Sequence, residues 1–163
     1  MIKGTQQRQL EFGYQVISTP AITTGTTNLP QTGTVALFTV TGGLVLVTSL
    51  IGVVTVVFAG TNPVLSLGLA PTGHTAVTNG IATTVDTSSA EVGTVMSVVG
   101  SGGLPTALAV AATAAKAGTA VFPGLSPFVA QTGTITWTTG ASKTGAMKWY
   151  LSYVPIDAGA SVS

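Results

Sequence analysis

The stretch that decides the fold is VALFTVTGGLVLVTSLIGVVTVVFA, residues 35–59. It carries no charge, and an uncharged apolar run of this length is nominally long enough to span a membrane. Valine and threonine dominate it, however, and such β-branched residues favour strands. The pair Gly42 and Gly43 divides the run, and no lysine or arginine flanks it to anchor a span. The stretch therefore predicts three strands, over residues 34–41, 44–50 and 53–59.

Just before this run, residues 29–33 read LPQTG, which matches the L-P-x-T-G signal of sortase substrates. Such a signal stands near a C-terminus and is followed by one span and a basic tail, whereas about a hundred residues follow the apolar run here. We interpret LPQTG as a proline-and-glycine turn that leads into the first of the three strands.

The rest of the chain has short apolar runs that glycine, proline and asparagine interrupt at the spacing of all-β folds. These runs predict further strands over residues 11–17, 64–69, 80–85, 93–99 and 120–122. Two segments with clear apolar–polar alternation, QTGTITWTTG (131–140) and GAMKWYLSYVP (145–155), are predicted to form an antiparallel hairpin. For residues 105–118, PTALAVAATAAKAG, the sequence does not decide between a helix and a non-helical structure. Alanine favours a helix, while Val110 and Thr113 oppose it.

The chain is predicted to divide into two parts. Residues 18–33 contain almost no large apolar side chains, a composition that suits an extended arm or linker. We therefore assign residues 1–33 to an N-terminal segment and extended arm, and residues 34–163 to the body. The predicted fold is all-β: an antiparallel β-sandwich or a jelly-roll-like barrel with an extended N-terminal arm.

Charge is scarce throughout the chain. Hydrophobic residues make up 45% of it and charged residues only 6%, against about 25% in an average soluble domain. A surface so poor in charge is poorly protected against self-association. We expect much of it to be covered by copies of the same chain or by a larger assembly.

The few charges also exclude several partners. The formal net charge is +1 and the five basic residues are scattered, so nucleic acid is not a predicted partner. A membrane is not one either, because the apolar run is interpreted as strands. The absence of cysteine excludes disulfides and thiolate metal sites. The N-terminal MIKGTQQRQLEFGYQ lacks the apolar region of a secretory signal.

No catalytic or metal site is predicted. His74 and Asp86 could form a triad with a serine, but no nucleophile-elbow motif supports it, and His74 lies in a turn-rich stretch typical of an exposed loop. Asp86 and Glu91 could supply calcium ligands, yet two carboxylates fall short of the usual number. We interpret Asp86 and the serines after it as a turn cap, and predict no cofactor.

The aromatic residues are predicted mainly to fill the core. Trp137 and Trp149 share strand faces with other apolar residues, which favours packing over a carbohydrate-binding platform. Tyr150 alternates with them on the polar face, beside Lys148, and is the aromatic residue expected to be most exposed.

Four segments together resemble small virion structural proteins of tailed bacteriophages: LFTVTGGLVLVTSLIGVVT, NPVLSLGLAPTG, VDTSSAEVGTVMSVVG and TGAMKWYLSYVPIDAGASVS. Those proteins share a strand ending in T-G-G before V-L-V-T, a middle D…E-V-G-T segment and a terminal T-G-x-x-K-W-x-L-x-Y-V-P-x-x-x-G-A run. The likeness extends from residue 36 to the C-terminus, and the terminal run is its most specific part.

The resemblance implies a non-enzymatic capsid decoration (cement) protein. Such proteins are commonly β-rich and often trimeric, and they reinforce the outer face of the shell. The implied partners are the major capsid protein and further copies of this chain as a homotrimer, on the outer capsid surface of a virion made in the host cytoplasm. Our candidate contact residues for the capsid or for other subunits are Ile2, Leu10, Phe12, Tyr14, Val16, Ile17 and Tyr150.

Two alternative functions follow from other features. A receptor- or glycan-binding module of a phage head or tail fibre would use Tyr150 with the loop APTGHTAVTNG, residues 70–80. Copy number in the particle separates the two roles, since decoration implies hundreds of copies and a fibre few. A glycan hydrolase would require paired carboxylates across a cleft.

Overall fold

The computed structural model describes residues 21–28, 33–59, 64–86, 90–101, 104–110, 127–139 and 144–163. Within these ranges all the regular secondary structure is β-strand, so the all-β prediction is confirmed. No helix in the described ranges has the length and apolar character needed to cross a membrane. The strands are β1 (Ala21–Asn28), β2 (Gly33–Thr41), β3 (Val45–Ala59), β4 (Val64–Pro71), β5 (Val77–Asp86), β6 (Val95–Ser101), β7 (Leu104–Val110), β8 (Phe128–Ala130), β9 (Gly133–Thr139), β10 (Thr144–Pro155) and β11 (Ser161–Val162).

The strands form two antiparallel sheets. Sheet A has the order β1-β10-β3-β6-β7, with the short β8 also beside β3, and sheet B has the order β11-β2-β9-β4-β5. A single parallel residue pair, Thr83 opposite Ala107, connects β5 to β7 along one side. The two ends of the strand order are β1 and β11, and no described strand pairs one of them with the other. The described strands therefore form an open β-sandwich, as predicted, and not a closed barrel.

The core lies between the two sheets. Side chains alternate between the two faces of each strand, and those on the face towards the other sheet are buried. Sheet A contributes the long strands β3 and β10, with Val47, Leu50 and Leu151 almost fully buried. Trp149 of β10 meets Trp137 of β9 edge to face, with ring centroids 5.7 Å apart and an interplanar angle of 88°. Both tryptophans are fully buried, so the prediction that they fill the core is confirmed.

The predicted hairpin of residues 131–140 with 145–155 is wrong. β9 pairs with β2 and β4 in sheet B, whereas β10 pairs with β1 and β3 in sheet A. The chain therefore crosses from one sheet to the other between Thr139 and Thr144. Alternation places Trp137 and Trp149 on inward faces in either arrangement, so it does not distinguish strands that pair from strands that stack.

The break predicted between residues 50 and 53 does not occur either, since β3 is continuous from Val45 to Ala59. Gly52 lies opposite Trp149 in the register of β3 and β10. A Cβ at this glycine would stand 2.9 Å from Trp149 Cζ3 and 2.5 Å from Met147 Cε. The glycine therefore makes room for large core side chains within a strand and does not mark a turn.

Part of the predicted arm belongs to the body. Ala21–Asn28 pairs residue by residue with β10, from Ala21 opposite Tyr153 to Asn28 opposite Ala146. A threonine-rich segment can occupy this place because strand pairing uses backbone groups and needs no large apolar side chain. Residues 1–20 and 29–32 lie outside the described residues, as do the predicted strands 11–17 and 120–122. For residues 105–118 the sequence does not decide on a helix; residues 105–110 belong to β7, so they are strand, while 111–118 lie outside the described residues.

Candidate functional site

The described titratable side chains do not converge on one site. His74 is exposed in the turn after β4, where its backbone N–H donates to the Pro71 carbonyl at 3.3 Å. It precedes β5 whereas Asp86 ends that strand, so the two triad candidates stand at opposite ends of β5. Glu91 is exposed in the turn before β6. Among the described residues, no three His, Cys, Asp or Glu side chains are grouped to hold a metal ion.

Asp157 has a structural role at the turn between β2 and β3. Its Oδ2 accepts a hydrogen bond of 2.7 Å from the Leu44 backbone N–H. The Leu44 carbonyl in turn accepts the N–H groups of Ile156 and Asp157, at 2.9 and 3.2 Å. Gly43, with φ +136°, packs so closely that an added Cβ would stand 2.5 Å from Asp157 Oδ2. The T-G-G segment and the terminal run, both singled out in the sequence, thus hold each other in place.

Asp157→Ala is expected to lower the free energy of unfolding by about 1 kcal/mol, because the Leu44 N–H loses its charged acceptor at an exposed turn. Asp157→Asn is the matched control, since its amide oxygen can still accept this bond, and it should cost less. Urea unfolding of the three proteins measures the difference. Equal stability of the alanine variant and the parent would contradict this role for the carboxylate.

The outer face of sheet A is formed by the residues that alternate with the core. On β10 these are Lys148, Tyr150, Ser152 and Val154, all half-buried, as alternation predicted. The Lys148 Nζ lies 5.3 Å from the centroid of the Tyr150 ring, a cation–π contact. Tyr150 lies opposite Ile51 of β3 in the strand register, so its neighbour on that strand is aliphatic. Tyr150 is half-buried, whereas Trp149 and Tyr153 of the same strand are buried, so it is among the more exposed of the described aromatic residues.

At one end of this face, the strand register places aliphatic residues of three neighbouring strands side by side, and we call this set the aliphatic patch. Its members are Leu44, Leu46, Val129, Val154 and Ile156. Leu46 is central, since it lies opposite Val154 on one side and Val129 on the other. Leu44 and Ile156 continue the same alternation beyond the strand ends, held opposite each other by the Ile156 N–H bond to the Leu44 carbonyl. Val129 is 51% exposed and Ile156 52%.

Polar groups border the aliphatic patch. Towards the middle of sheet A, Ser49 pairs with Ser152, and the Thr48 hydroxyl donates to the Ser152 carbonyl at 3.1 Å. At the other end stands Asp157, whose Oδ2 is engaged by the Leu44 N–H. An apolar centre with a polar rim is the general anatomy of a protein–protein interface.

The outer face of sheet B has a different chemistry, dominated by hydroxyl groups. The hydroxyls of Thr34 and Thr138 are hydrogen bonded at 2.7 Å, and those of Thr41 and Ser161 at 3.0 Å. The start of β5 folds over this face, so that a Cβ at Gly68 would stand 2.7 Å from the Thr78 carbonyl oxygen. The side chains described on this face are hydroxyl groups that bond to one another across strands.

Most of the predicted contact residues, namely Ile2, Leu10, Phe12, Tyr14, Val16 and Ile17, lie outside the described residues. Tyr150 lies on sheet A, whereas the 70–80 loop connects β4 and β5 of sheet B, so the structure does not join them into one glycan-binding patch. The sequence did not reveal the aliphatic patch, because its members are brought together only by the register of three strands. Comparison with protein-family models, curated proteins and solved structures found no match.

Proposed function

We propose that this protein is a non-enzymatic virion structural protein that binds the outer surface of a capsid and stabilises the shell. The observation that carries the proposal is the aliphatic patch, on a chain of which only 6% is charged. Contiguous exposed apolar surface on a soluble protein marks a site of protein–protein contact. The resemblance of the terminal TGAMKWYLSYVPIDAGASVS run supplies the virion setting.

In this role the mechanism is binding alone. A protein that binds the assembled shell and not its free subunits stabilises the shell by mass action. Copies joined as a homotrimer would engage several major capsid subunits at once, and linked contacts raise the overall affinity without any new kind of contact. Segment 1–17, with Phe12, Tyr14 and Val16 at alternate positions, is the proposed attachment arm.

Deletion of residues 1–17 is expected to reduce capsid binding at least tenfold while the body stays folded. The deletion ends before β1, which begins at Ala21, so every described strand is retained. Cosedimentation with undecorated shells, followed by electron microscopy of the pelleted particles, measures occupancy. Thermal unfolding of the truncated protein is the control for the body. Full occupancy by the truncated protein would overturn the proposed arm.

A further inference from the structure

We propose that the aliphatic patch is the surface through which one copy of this chain binds another, patch against patch. The inference deepens the proposed function and rests on it for the setting of the assembly, since it names the surface by which the copies meet. A two-fold or a three-fold axis beside the patch brings identical surfaces together, and most homo-oligomers have such closed symmetry.

The chemistry of the patch is suited to this contact. Leu44, Val129 and Ile156 are 37%, 51% and 52% exposed, so each has side-chain surface left to bury. Their burial removes apolar area from water. The neighbouring Asp157 is exposed, and its Oδ2 accepts a hydrogen bond from the Leu44 N–H, so this carboxylate can stay hydrated at the rim. The surrounding hydroxyls of Thr48, Ser49 and Ser152 are uncharged, and such groups can remain hydrated at a polar rim.

The charge pattern selects a second copy as the partner. A strongly charged partner would have to desolvate its own charges against Leu46 and Val154, which offer them no counter-charge. The complement of an aliphatic sheet face is another such face, as in the core of this sandwich. This chain, with a formal net charge of +1 and 6% charged residues, presents that face itself and has little charge to repel its own copies.

The test is the mass of the protein in solution. We compare the parent with a Val129→Asp/Ile156→Asp double variant and with a Val77→Asp/Val92→Asp control, by size-exclusion chromatography with light scattering. The control positions are matched in exposure, at 54% and 50%, but lie at the start of β5 and in the turn before β6. We expect the parent and the control to be oligomers and the patch variant to have the 16.1 kDa mass of one chain.

Two results would overturn the inference. The first is a parent that is monomeric at about 100 μM, a concentration at which even a weak specific oligomer would be partly formed. The second is a folded patch variant that keeps the parent's mass. If the aspartates prevent folding, Val129→Thr/Ile156→Thr keeps the β-branched shape. It is expected to raise the dissociation constant at least fivefold, and an unchanged constant would count against the patch.

Shell binding, measured on the same samples by cosedimentation, separates this inference from the proposed function. A parent that oligomerises through the patch but binds no shell upholds the inference and overturns the decoration role. A monomeric parent that decorates shells overturns the inference and upholds the decoration role.

Discussion

Trp149→Ala is expected to lower the free energy of unfolding by about 3–5 kcal/mol, the usual cost of removing a large buried aromatic side chain. Trp149 is fully buried in β10, and its ring meets Trp137 of the opposite sheet edge to face. Gly52 of β3 lies opposite it and leaves the space that its ring occupies. The substitution would therefore open a cavity between the two sheets, where backbone strands cannot collapse to fill it.

Trp149→Phe is the matched control, measured beside the alanine variant by urea and thermal unfolding. The indole Nε1 of Trp149 is buried without a hydrogen-bond partner among the described residues. Phenylalanine removes that unpaired donor, which offsets part of the lost packing, since an unsatisfied buried donor costs about 1–3 kcal/mol. We expect it to cost less than half as much as alanine. Equal losses for both variants would contradict the packing account.

Gly42→Ala is expected to be more damaging than the same substitution at Gly73 or Gly159, two turn glycines with a similar φ. Gly42 has φ +75°, a conformation that costs a residue with a side chain about 1–2 kcal/mol. An added Cβ would also stand 2.5 Å from the Gly159 carbonyl oxygen, which is backbone. The turn before β11 would have to move, and overpacking of this kind typically costs about 1–3 kcal/mol more.

Gly73→Ala separates the two contributions. Gly73 has nearly the same φ, +77°, but an added Cβ there would meet nothing within 4 Å. We expect it to lose only the conformational part, about 1–2 kcal/mol, and Gly42→Ala to lose measurably more in urea unfolding. Amide exchange gives a second measure, because displacement of the terminal strand should expose the Ser163 N–H, which bonds to the Thr39 carbonyl at 3.0 Å. Equal losses at the two glycines would show that the contact with Gly159 is unimportant.

The two outer faces of the sandwich have different chemistry, and this bears on the proposed role. Sheet A presents the aliphatic patch and the Lys148–Tyr150 pair, whereas sheet B presents hydroxyls bonded across its strands. If copies of the chain meet through sheet A, the hydroxyl face is left to the solvent or the shell. Uncharged hydroxyls keep such a face hydrated without the charged residues that this chain lacks.

The amino-acid sequence by itself determined the class of fold and the direction in which side chains point. Strand alternation is a local property with a period of two, so Trp149 could be assigned to the core and Tyr150 to the outer face without knowledge of neighbouring strands. The turn at Gly42 and Gly43 was equally local, because glycine adopts the positive φ angles that this turn requires.

Only the tertiary structure decided which strands are neighbours. Strand pairing is made by backbone hydrogen bonds, which are the same for every residue except proline, so the pattern did not reveal that β9 and β10 belong to different sheets. The role of Gly52 within β3 and the bond from Leu44 to Asp157 depend on residues about a hundred positions away. The aliphatic patch arose in the same way, since the register of β3 with β8 and β10 brings together residues distant in the chain.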